Sequence, residues 1–139
     1  MKLEGVSIKM WFKNEGQAAA RVLALATMPA LTDHILSASE EEDDFNRAVR
    51  DWSVKGGIDI EPGHDAPFAS PDFLNKQQWA EFQAGTKYLY SFLTVSYVDA
   101  DQDYGDEIVT ESCIWFQNTG SNFWSYCQTP HNKTFRRTK

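Results

Sequence analysis

Between Val98 and Glu111 the chain reads VDADQDYGDEIVTE. Asp99, Asp101 and Asp103 stand at alternate positions, Gly105 follows, and Glu111 lies six residues beyond that glycine. Short carboxylates so spaced, a glycine for a sharp turn and a distal glutamate are the hard oxygen ligands of a calcium loop. An EF-hand, however, carries its glycine at the sixth position between two helices. Here Tyr104 pushes Gly105 to the seventh position counted from Asp99, and both flanks read as strands. Glu111 falls three residues past Ile108, inside the following strand, from which it does not readily swing back to the loop. The segment is first a solvated, acid-rich turn. Its alternative is a Ca2+ site formed by Asp99, Asp101, Asp103 and Glu111, and no other cofactor is indicated.

Other side chains offer less. His34, His64 and His131 each fall in a predicted loop, without HxH or HExxH spacing and without a neighbouring cysteine, so each reads as solvent-facing. No GxSxG, P-loop, GxGxxG or Cys–His signature is present, and the 20 acids form no preferred dyad for glycoside chemistry. The chain reads as a non-enzyme. Aromatic residues are the better lead: Trp11 lies on the polar face of the first strand, and Trp115, Trp124 and Tyr126 gather near the end. Trp115 and Trp124 are the candidate stacking surface for a sugar or peptide, against the plainer reading that both pack in the core. Asn132-Lys133-Thr134 matches a glycosylation sequon, which matters only in a eukaryotic secretory setting.

The whole-chain balance narrows the partner. A net charge of −7 lacks the basic footprint a nucleic-acid binder needs to displace counterions. Acids cluster at Glu40–Asp44, which reads as a helix start, while Lys133, Arg136, Arg137 and Lys139 read as a frayed basic tail. No stretch has the make-up of a signal peptide or the roughly 18 apolar residues of a membrane helix. Cys113 and Cys127 are too few for a disulfide scaffold and lack CxxC spacing.

These residues must be positioned by elements whose periods the sequence displays. With 42% hydrophobic and 14% aromatic residues, 139 residues can bury a sheet-rich core. Val6, Ile8, Met10 and Phe12 alternate with polar residues along a first strand, and NEGQ follows as a turn. Ala18–Met28 reads as a second strand ended by Pro29. Ser39 and Glu42 form a capping box, and Phe45, Ala48, Val49 and Trp52 give one amphipathic helix ending near Gly56-Gly57. Gly57–Gly63 reads as a short strand and Asp65–Pro71 as irregular. Asn75 with Gln78 caps a helix near Lys76–Ala84, with Leu74 placed to staple on Trp79 and Gly85 closing it. Lys87–Val98 is apolar on both faces, the mark of a central strand. Ile108–Phe116 and Phe123–Gln128 flank QNTGSN as a hairpin. If that hairpin is symmetric about Gly120, Cys113 and Cys127 lie opposite each other. A cross-strand disulfide is then permitted, with two packed thiols as the default.

The sum is all-β in class: β-rich with two short helices, arranged as an immunoglobulin-like antiparallel β-sandwich. It forms one domain over 1–139, with a helical insertion around 39–85. Several stretches, QWAEFQAGTKYLYSFLTVSYVDADQDYG, then ESCIWF and YCQTPHN, with VSIKMWFKNEGQAAARV at the start, resemble an uncharacterised family of membrane-anchored bacterial proteins. Ala18-Ala19 replaces that family's Thr-Pro, and the turn after Tyr97 is longer and richer in Asp. The resemblance implies one or two membrane helices ahead of this domain in the parent protein, a membrane-associated location on an unassigned side, and no catalytic residues. The functional expectation is a non-catalytic accessory or interaction domain with a protein partner; calcium binding and carbohydrate or peptide binding are the alternatives.

Overall fold

A computed structural model describes residues 9–51, 53–69, 74–100, 106–120 and 122–137. Strand β1 (Lys9–Lys13) keeps the predicted alternation, with Met10 and Phe12 turned inward and Trp11 outward. Strand β2 (Ala20–Thr32) runs through Pro29 instead of stopping there. The reason lies in its neighbours. β3 (Ser53–Ile60) pairs with β2 only as far as Ala26, whereas β5 (Tyr88–Asp99) pairs with it along its length, including Pro29 with Ser91. Among the described residues nothing pairs with that edge of β2 beyond Ala26, and a proline that donates no hydrogen bond is tolerated there.

Helix α1 (Ala38–Asp51) begins two residues earlier than the Ser39–Glu42 box predicts. Two overlapping S-x-x-E patterns compete, and Ser37 with Glu40 is the one used. The Glu40 amide donates to Ser37 Oγ and the Ser37 amide donates to Glu40 Oε1. Phe45 and Ala48 face the core as expected, but Val49 is exposed and Glu41 is buried; Trp52 lies outside the described residues. The helix ends without glycine. Gly56 and Gly57 sit inside β3, at the irregularity where Ile58 pairs with Val22 and Lys55 with Ala24. Glycine within a strand marks such a bulge as readily as it ends a helix.

The stretch read as irregular contains β4 (Asp65–Ala69), paired antiparallel with β1 as a two-stranded ribbon. Pro67 is accommodated because, among the described residues, each strand of the ribbon has an unpaired edge. Helix α2 (Lys76–Gln83) starts at the predicted Asn75–Gln78 capping box. Gly85, at φ +81, closes it against Asn118, where an added Cβ would approach the Asn118 carbonyl oxygen to 2.5 Å.

β6 (Glu107–Asn118) and β7 (Asn122–Tyr126) form the predicted hairpin, with Asn118 opposite Asn122 about Gly120. The basic end is not frayed: β8 (Lys133–Arg137) pairs with β6 from Glu107 to Glu111. Opposite charges help it dock, with Arg137 3.5 Å from Glu107 and Lys133 3.9 Å from Glu111. The six-stranded sheet has the order β3-β2-β5-β6-β7, with β8 also on β6, and β5 is central as predicted.

Among the described residues all pairings are antiparallel, and the protein is β-rich with two short helices. Because side chains alternate along strands, the sheet has two unlike faces. On one, Met28, Tyr90, Phe92 and Cys113 pack with Phe45 and Ala48 of α1. On the other, Val22, Val95 and Ile60 pack with Phe12, Ala66 and Phe68 of the ribbon. The strands β3 and β4 therefore lie within the segment predicted as a helical insertion. No described helix is long and apolar enough to cross a membrane.

Candidate functional site

The first polar constellation forms where α1 meets the loop after β7. Cys113 and Cys127, directly opposite in the hairpin, are joined as a disulfide with Cα atoms 5.4 Å apart. The default of two thiols is thus overturned. Symmetry about Gly120 brings both sulfurs onto the α1 face, under Phe45. Asn132 then stands in for a strand partner: its side-chain amide donates to the Cys113 carbonyl at 2.9 Å, and its oxygen accepts from the Cys113 amide at 3.0 Å. The sequon asparagine is occupied by this pairing.

Glu41, 1% exposed, receives the amide of Gln128 on both carboxylate oxygens, at 3.1 and 2.9 Å, and the Thr129 hydroxyl at 3.4 Å. A buried carboxylate is tolerated only with such donors. His131 also departs from its predicted solvent-facing role. It is 9% exposed and stacks on Phe45 at 3.8 Å, with ring planes 5° apart. Its Nε2 faces Glu42 at 2.5 Å and its Nδ1 faces Glu111 at 3.2 Å. With both nitrogens engaged, the ring offers none to a substrate or metal. One Glu41 oxygen and the two cysteine sulfurs lie within 4.8 Å of one another, but sulfurs spent in a disulfide are not thiolate ligands. The cluster is a clamp that fastens the closing loop to α1. Sequence reasoning missed it because its members are distant in the chain; the only local hint was the acid run opening the helix.

The calcium candidates are dispersed. Asp101 and Asp103 lie outside the described residues. Glu111 pairs with Thr94, five residues along β5 from Asp99, which places the two about 17 Å apart along the strands. By alternation they also point to opposite faces, and Glu111 is engaged by His131 and Lys133.

The stacking candidates separate too. Trp115 lies on the α1 face, packed edge-on against Tyr88 and tilted against Phe123. Trp124 is opposite Phe116, on the other face. There it is 52% exposed and forms an edge-to-face pair with Tyr126, itself 61% exposed, at 5.3 Å. No family model, curated protein or solved structure matches this chain. Its chemistry must be read from these side chains. Phe123 is also half-exposed, so three large aromatics crowd a five-residue strand at the end of the sheet, where β7 has no second strand partner among the described residues. Sequence reasoning singled out Trp124 and Tyr126 but not Phe123.

Proposed function

We propose that this chain is a non-catalytic interaction domain that binds an extended peptide segment of a partner protein along the outer edge of β7. The observation that carries the reading is the exposure of Phe123, Trp124 and Tyr126 on a terminal strand. Strand addition uses both properties of such an edge. Unpaired backbone groups supply affinity, and alternate side chains supply specificity. Large apolar groups held on a rigid edge otherwise invite aggregation, so a partner gives them a physical purpose. The disulfide directly after β7 fixes that edge to the core.

The same disulfide favours an oxidising compartment, so the domain belongs outside the cytoplasm. Attachment to a membrane through the parent protein rests on the family resemblance. We read the β1–β4 ribbon and the sheet it covers as a reduced, immunoglobulin-like sandwich, supported by the two antiparallel layers facing each other across Val22, Val95, Phe12 and Phe68.

The test is selection of binders from a displayed library of random peptides, followed by calorimetry. Selected peptides should lose about tenfold or more in affinity for the Trp124→Ala/Tyr126→Ala protein, whose melting curve should match that of the parent. Equal binding by both proteins, or no selectable peptide, sinks the reading. Glycans that bind through Trp124 in the absence of any peptide binder would reassign the surface to carbohydrate.

A further inference from the structure

A second feature lies away from the β7 edge. Between the ribbon and the sheet is a cleft of about 530 Å³. That falls within the roughly 300–1,000 Å³ of small-molecule sites. Its floor is the sheet face opposite α1, formed by Val22, Val95, Tyr97 and Ile108, and Phe12 of β1 forms a wall. Phe12 is held there by edge-on contact with Phe68 at 5.0 Å.

The rim is equally built. The Asn14 side-chain amide donates to the carbonyls of Ala18 and Ile60, each at 2.8 Å, and its oxygen accepts the Gly16 amide at 2.9 Å. These bonds hold the β1–β2 turn in place over the end of the cleft. An open apolar hollow between two fixed layers is not what close packing leaves by default.

We propose that this cleft binds a small uncharged molecule with a largely apolar body and one neutral polar group, such as an aliphatic or aromatic alcohol. The apolar floor selects the body. Lys13 and Glu15 give the rim one charge of each sign, so it carries no net charge to pair a charged head group. The net charge of −7 further disfavours anions. The Thr110 hydroxyl is taken by Thr134 at 2.9 Å. The Tyr97 hydroxyl has no hydrogen-bond partner among the described residues and is the group that meets the ligand's polar atom. Phe116, opposite Trp124, lies eight residues along β6 from Ile108, about 27 Å away, so this site is separate from the peptide edge.

The experiment uses the fluorescence of N-phenyl-1-naphthylamine, an uncharged apolar probe, with 1-decanol, decanoate and decylamine as competitors. Saturable binding at one site per chain is expected, with decanol displacing the probe better than either charged congener. Ile108→Trp, which fills the cleft from a half-buried position, should abolish probe binding. Tyr97→Phe, which keeps the shape, should leave probe affinity unchanged while weakening decanol by about three- to tenfold. Melting curves confirm that both variants fold. Three results overturn the proposal: no saturable probe binding, binding indifferent to both substitutions, or tighter binding of a charged congener.

Discussion

The Glu41 carboxylate is turned inward from α1, and its oxygens are the acceptors for the Gln128 amide and the Thr129 hydroxyl. Glu41→Ala would leave the part-buried Gln128 amide and the buried Thr129 hydroxyl without this acceptor and should destabilise the fold by about 2–4 kcal/mol. Urea unfolding measures it, and a loss below about 0.5 kcal/mol would show that the clamp is not a structural tie. His34 acts differently, at the exposed start of α1. Its ring bonds Asp33 first and Glu40 second, which raises its affinity for a proton above the ordinary value of 6.5. That contribution is full below 6.5 and disappears as pH climbs through the raised folded value. Asp33 is lowered mainly by His34, and Glu40 mainly by the Ser37 amide. Their contributions are present above 3.8 and 4.5 and are lost as pH falls through the lowered folded values. The penalty of His34→Ala, read as a difference in melting temperature, should therefore be largest between the ordinary carboxylate and imidazole values, near pH 5.5, and fade as pH rises above 6.5 through the raised folded value. A penalty that grows with pH would contradict this.

Among the elements, the β6–β7 hairpin shows what a turn can dictate. Symmetry about Gly120 was legible in the residues, and it sets Cys113 opposite Cys127. Whether they join depends on redox state and packing, which pattern alone does not contain. The bridge closes a short loop, with a sequence separation of 14. Reduction or Cys113→Ala/Cys127→Ala should cost about 3 kcal/mol through the unfolded chain. The test is the urea midpoint with and without a phosphine reductant, under conditions that open the bond. Other elements were ambiguous locally. Ser37-x-x-Glu40 and Ser39-x-x-Glu42 are equally good caps on paper. The first is used, and it starts α1 at Ala38, with Glu41 buried toward Gln128. Pro29 signals an end only where a strand has partners on both sides; β3 stops short of it.

For the molecule as a whole, the two proposed surfaces share one sheet but lie near opposite ends of β6, joined by packed core. Pre-formed, separate sites should act independently. Ile108→Trp should leave peptide affinity within about twofold of the parent protein, and Trp124→Ala/Tyr126→Ala should do the same for probe affinity. Strong coupling between them would mean that the ribbon and the β7 edge move together.

Periodicity and turn chemistry, read from the chain alone, determined a β-rich antiparallel protein, a central β5, the Asn75 cap and a hairpin about Gly120. These follow from contacts between residues near in sequence or from the two-residue repeat of a strand. The tertiary structure decided the rest. It buried His131 between Glu42 and Glu111, drew Glu41 to the closing loop and paired the basic end with β6. It also set Trp115 and Trp124 on opposite faces and separated Asp99 from Glu111. Those outcomes depend on which strands become neighbours, and a face or a partner exists only after the sheet has closed around it.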